Sequence, residues 1–206
     1  MTDVLGEIML QKETYQMKQV IQKALSAYFP VSLQAAEALC DSARLTLFNE
    51  DDFLEQESEQ VNSEFIVLDG IVRGFITNSR GEDITINFYT NGGAVTPAIM
   101  RGMNHRSIYN LQIVSRTARV LVFSNVRMES VMPKYKDLEM FGNTVLMADS
   151  QRRVEREMIL LKETAENKLI WFRKAFPGLE NKVPHYYIAS YLGITATSLS
   201  RVRRKV

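Results

Sequence analysis

Apolar positions along the chain change period twice, and the changes divide it into three parts. From Tyr15 to Phe29, apolar residues sit among good helix formers until Pro30 removes the donor a helix would need next. Ser32 is placed to cap a second helix, with Leu33, Ala36 and Leu39 on one face at three-residue steps. From about Arg44 the period shortens to that of strands. The stretch "SEFIVLDGIVRGFITNSRGEDITINFYTNGG" reads as short strands cut by turn residues. Asp69-Gly70 predicts a hairpin, Asn78-Ser79-Arg80-Gly81 a second turn and Asn91-Gly92-Gly93 a third. Between the last two, Ile84, Ile86 and Phe88 alternate with Thr85, Asn87 and Tyr89, the period of a half-buried strand. "IYNLQIV" and "ARVLVF" add two strands, and short antiparallel strands at this spacing suggest a barrel or sandwich.

After Pro133 the period is helical again. Met147, Gln151, Val154, Met158, Leu161 and Ala165 recur at steps of four and three, a heptad seam. Leu138, Phe141 and Val145 form a second stripe suited to packing on the strand domain. A helix with two apolar stripes needs two partners, so the pattern predicts a homodimer joined along the seam; a core helix of a monomer is the plainer alternative. Glu166 to Phe176 predicts a further helix, carrying Trp171 and ended by Pro177-Gly178.

The last stretch, "HYYIASYLGITATSLSRVRRKV", fits two short helices crossing steeply. Ala189 suits the crossing, Leu192 the corner, Gly193 the turn and Ile194 its inner anchor, while Thr195 can cap the second helix. Leu199, Val202 and Val206 then face inward. Thr197, Ser198, Arg201, Arg204 and Lys205 face outward. An exposed Arg201 can offer a guanine edge two parallel donors, and hydroxyls and helix N-terminal amides suit phosphates. Arg203, Arg204 and Lys205 would add salt-dependent phosphate attraction. The plainer alternative is a solvated helix end whose cations favour the C-terminal dipole.

Composition narrows the choice. The 206 residues carry a formal net charge of +1, so contact with double-stranded DNA would be local to this cationic end. One cysteine, Cys40, allows no internal disulfide, and it cannot hold an all-cysteine iron–sulfur cluster. No metal-ligand spacing, glycine-rich phosphate loop or histidine beside a nucleophile is present, which argues against an enzyme; the adjacent Asp51-Asp52 pair reads as solvated. The start lacks a cationic region followed by an apolar run, and no apolar run is long enough for a membrane span. A cytoplasmic protein without a membrane partner is the expectation.

The order of these parts resembles the Crp/Fnr transcription regulators. "FIVLDGIVRGFI" is similar to that family's strand–glycine–strand segment and "IASYLGITATSLSR" to its DNA reader. The resemblance implies an α+β chain: a double-stranded β-helix (jelly-roll or β-roll) sensor domain over residues 1–132, a dimerisation helix over 133–165 and a helix-turn-helix domain over 166–206. It implies an effector in the roll and RNA polymerase as a further partner. In the family's cyclic-AMP cassette a glutamate accepts the ribose hydroxyl and an arginine–serine pair holds the phosphate. Arg106-Ser107 stands at the pair, but Thr96 stands at the glutamate and Pro97 follows it, so the ribose half departs and the pattern argues against cyclic AMP. Another ligand, or a pocket that has lost one, stays open, as does heme, with His105 and His185 the two histidines. On the recognition helix only Arg201 matches the family's reading residues; Ala196 and Thr197 replace the other two, and the family's wing after this helix has no counterpart within the sequence. A ligand-binding or interaction module that has lost DNA binding is the alternative function.

Overall fold

The computed structural model describes residues 15–96, Ile99 and 105–205. Helix α1 covers 15–25, and α2 covers Leu33–Ala38. The Ser32 hydroxyl accepts the Ala35 N–H at 3.2 Å, the cap that the sequence predicts. A short 3-10 turn leads into eight strands. They are β1 (Ala43–Asn49), β2 (Phe53–Glu55), β3 (Ser63–Asp69), β4 (Val72–Thr77), β5 (Asp83–Tyr89), β6 (Ala94–Val95), β7 (Asn110–Ile113) and β8 (Thr117–Ser124). They form two antiparallel four-stranded sheets in the orders β1-β8-β3-β6 and β2-β7-β4-β5.

Consecutive strands alternate between sheets except for β4 and β5, which pair with each other, and this corrects one turn. Asp69-Gly70 is not a hairpin: β3 and β4 lie in different sheets, and the glycine turns the chain from one to the other. Gly70 has φ +105°, and a Cβ there would sit 2.6 Å from that of Ala118. The composition of a hairpin turn thus serves a sheet-to-sheet corner, where close approach as well as positive φ demands glycine. Asn78–Gly81 is the true hairpin. It joins β4 to β5, with the Asn78 side-chain oxygen accepting the N–H groups of Arg80 and Glu82.

The first sheet is covered on both faces. Phe65, Val67, Val95 and Val120 point between the sheets and meet Tyr89, Tyr109, Leu111 and Ile113. Ile66, Leu121 and Phe123 point outward and are covered by α1, α2 and the start of the long helix through Leu138, Phe141 and Val145. After β8 come α3 (Asn125–Val131), a 3-10 turn containing Pro133, and the long helix α4 (Lys136–Lys162). Helix α4 stops before Ala165. Thr164 caps a separate helix α5 (Ala165–Ala175), so Ala165 is not part of the seam.

The C-terminal unit comprises α5, α6 (His185–Tyr191) and α7 (Ala196–Arg203). Its core of Leu169, Phe172, Phe176, Ile188, Leu192, Leu199 and Val202 also takes in Ile71, Phe88 and Val114 from the strand domain. Strand β5 explains the continuity. Its expected pattern of one buried face fails, because Thr85, Asn87, Phe88 and Tyr89 are all buried. Phe88 enters the C-terminal core while its neighbour Tyr89 enters the core between the sheets.

Candidate nucleic-acid interface and sensor region

Helix α6 ends in a tight turn built as the sequence predicts. Gly193 adopts φ +60°, and the Ile194 N–H returns to the Ala189 carbonyl at 3.0 Å. The Thr195 hydroxyl accepts the Ser198 N–H at 3.1 Å and donates to the Ser198 hydroxyl at 2.9 Å. Its role is the cap itself, which satisfies a free donor of the first turn. Leu199 and Val202 are buried against α5 and α6. Thr197, Arg201, Arg204 and Lys205 are exposed, and Ser198 is half-buried. Val206 lies outside the described residues.

Arg203 differs from its neighbours. Its Nε donates to Glu180, which also accepts from Arg173, and its Nη1 donates to His185 Nδ1 at 3.1 Å. Glu180 is buried. Hydrogen bonds from Arg173 hold its carboxyl below the usual range, and those from Arg203 act in the same direction. Arg203 thereby ties α7 to the turn after α5, leaving Arg201, Arg204 and Lys205 as the outward cations. The basic run hides this division, because only the fold brings Glu180 between Arg173 and Arg203.

The residues expected to meet an effector are dispersed. Thr96 borders a cavity of about 420 Å³ with Glu64, Glu129, Lys136, Glu139 and Asn143, between β3, α3 and α4. The Thr96 hydroxyl is buried and has no hydrogen-bond partner among the described residues. Arg106 and Ser107 do not border that cavity. The Arg106 guanidinium donates to the Ser58 carbonyl at 2.6 Å, and the buried Ser107 hydroxyl donates to the Tyr109 carbonyl at 2.6 Å. Pro97 lies outside the described residues. Between the sheets, the hydroxyls of buried Tyr89 and Tyr109 meet at 3.2 Å, and the rings occupy the interior.

Two features of the domain junction were not foreseen. The buried Arg73 guanidinium lies between the rings of Phe75 and Tyr187, at 4.3 and 3.8 Å from their centroids, and its Nε donates to Thr85. Arg156 of α4 donates through Nε and Nη2 to the Tyr191 carbonyl at the end of α6, at 3.1 and 2.9 Å. A heptad reading assigns Arg156 to the solvated side of α4, and no local pattern marks Arg73 of β4.

Among the described residues there is no group of three or more His, Cys, Asp or Glu arranged to hold a metal ion. Nor is any helix among them long and apolar enough to cross a membrane. Comparison with protein-family models and with curated proteins finds no match. Solved structures do match. FixK2 from Bradyrhizobium japonicum superposes with a TM-score of 0.69 at 15% identity, over 79% of this chain and 83% of that one. A putative Crp/Fnr-family transcriptional regulator from Eubacterium rectale gives 0.65 at 14% identity, over 87% of each chain. The c-di-GMP-responsive global regulator CLP of Xanthomonas campestris gives 0.64 at 10% identity, over 84% and 91%. Strand domain, long helix and helix-turn-helix unit thus follow one another as in these regulators, and the chain has the Crp/Fnr fold.

Proposed function

We propose that the protein is a sequence-specific DNA-binding transcription regulator that acts as a homodimer, with an effector-sensing β-roll. One observation carries this reading: α7 buries Leu199 and Val202 while presenting Thr197, Arg201, Arg204 and Lys205 to solvent. A helix held from behind, with an arginine and hydroxyls in front, has the chemistry to enter a major groove. Arg201 is assigned to a base edge, and Thr197, Arg204 and Lys205 to phosphates. Ser198 stands beside them at the first turn, Thr195 serves through its cap and Arg203 through its bond to Glu180.

The dimer reading rests on the other face of α4. Met147, Val154, Met158 and Leu161 are exposed in a line, on the side away from the buried Leu138, Phe141 and Val145. A dyad along this stripe would place two recognition helices to read half-sites about 34 Å apart, one turn of DNA. The departure at Thr96 and the tyrosine-filled roll interior argue for an effector other than cyclic AMP.

Selection of sites from a random duplex pool tests the reading, and an enriched inverted repeat is expected. Arg201→Ala should then lose discrimination at one base pair per half-site, about 1–3 kcal/mol, in competition binding. Full discrimination in that variant would remove Arg201 from the reading set. Absence of enrichment, with and without added cell extract, would favour a module that does not read DNA.

A further inference from the structure

The inner face of α4 changes character along its length. Its first half packs apolar residues on the first sheet, whereas its second half turns Asp149, Arg152 and Arg156 toward β5 and α6. There a cavity of about 330 Å³ opens between the three elements. Asn87, Arg152, Arg153, Arg156, Glu157 and Tyr191 border it.

Charge at this cavity is not balanced by the residues around it. Asp149 is buried and accepts from Arg152 Nη2 at 3.0 Å, from Arg153 Nε and from Asn87 Nδ2 at 3.5 Å. One carboxylate thus answers two guanidinium groups. Arg156 is half-buried and donates to neutral carbonyls, those of Tyr191 and Thr85. The Nε of Arg152 is buried with no hydrogen-bond partner among the described residues. Such a donor is costly when unmade, and a cationic cluster facing a cavity attracts an acceptor that brings charge. Glu157 is exposed at the rim, so three guanidinium groups face two carboxylates. The volume is at the small end of ligand sites.

We propose that this junction is a binding site for a small organic anion carrying a phosphate or carboxylate group, held by Arg152 and Arg156 with Asn87 and the half-exposed Arg153 at its edge. Arg156 already bonds the last carbonyl of α6, so an anion here would touch the group that joins the long helix to the helix-turn-helix unit. The proposal concerns ligand binding alone and stands whether or not α7 reads DNA.

Thermal unfolding of the full chain tests it, with inorganic phosphate and succinate as probes and chloride at matched ionic strength as the control. A saturable rise of about 3–6 °C at ten times the dissociation constant is expected for phosphate, succinate or both. Whichever anion acts identifies the group recognised. Arg152→Gln should abolish the rise, and Arg153→Gln, at a more exposed position, should weaken it if the first variant fails to fold. An Arg201→Ala/Arg204→Ala double variant should retain it, which separates this cavity from anion binding at α7. No rise beyond chloride with either probe would overturn the proposal. So would a rise that survives Arg152→Gln, or one that vanishes only in the α7 double variant.

Discussion

Single side chains at this molecule's junctions do work that their residue types do not announce. Arg203 belongs to a run of cations, yet it is bonded to Glu180 and His185, whereas its neighbour Arg204 is exposed. Glu55 is a second case. It is buried on β2, and burial, followed by the nearby Glu59 carboxylate, pushes its carboxyl up to about 7 against the pull of the Asn62 N–H. The folded chain therefore holds this proton more tightly than the unfolded chain, where the group titrates near 4.5. Its stabilising contribution is complete below about pH 4.5 and is lost as pH rises through 7. With partial solvent access taken into account, about 1–2 kcal/mol should be lost between pH 5 and pH 8. Denaturant titrations of wild type and Glu55→Gln across that range should show a loss in the former that is absent in the latter. Parallel curves would mean that Glu55 is ionised in the fold.

At the scale of elements, α4 is the informative one. A heptad stripe is a pattern of residue types, and the exposed Met147, Val154, Met158 and Leu161 agree with it. The seam ends earlier than the pattern suggests, because the chain breaks at Thr164 to begin α5. Propensity does not decide that break; the cap by Thr164 and the burial of Leu169 and Phe172 do. Leu161 is 81% exposed in the single chain. Leu161→Glu should therefore change monomer stability by less than about 0.5 kcal/mol. The same change should weaken self-association by about 2 kcal/mol or more, because it would place a charge in a buried apolar seam. Sedimentation velocity over a concentration series reads this directly, and unchanged association would remove the stripe as the dimer contact.

For the whole molecule, the strand domain and the C-terminal unit share one aromatic core. Phe88 of β5 touches Phe172, Phe176 and Tyr191, with ring centroids between 5.4 and 6.1 Å apart. Tyr191 in turn stacks on Trp171 at 6.2 Å. Truncation at Phe88 should cost about 3–5 kcal/mol, concentrated at the domain junction. In wild type, far-UV circular dichroism and the fluorescence of the sole tryptophan should report one unfolding transition. In Phe88→Ala the fluorescence transition should come first, as the C-terminal unit separates from the strand domain. Coincident transitions in that variant would mean that Arg73 and Arg156 suffice to join the domains.

What the sequence determined by itself is whatever depends on local period and local chemistry. The helix–strand–helix order, the Ser32 and Thr195 caps, the Asn78–Gly81 turn and the anatomy of the helix-turn-helix are of this kind, since each rests on residues within one or two turns of each other. The tertiary structure alone decided which strands pair, and so turned Asp69-Gly70 from a hairpin into a corner between sheets. It also decided which charges are spent inside the fold: Arg203 on Glu180, Arg73 between two rings, and Arg156 on the end of α6. Apart from Phe75, which is two residues from Arg73, those partners lie between 23 and 114 residues away along the chain. No period or local propensity carries information over such distances; packing of the shared core sets them.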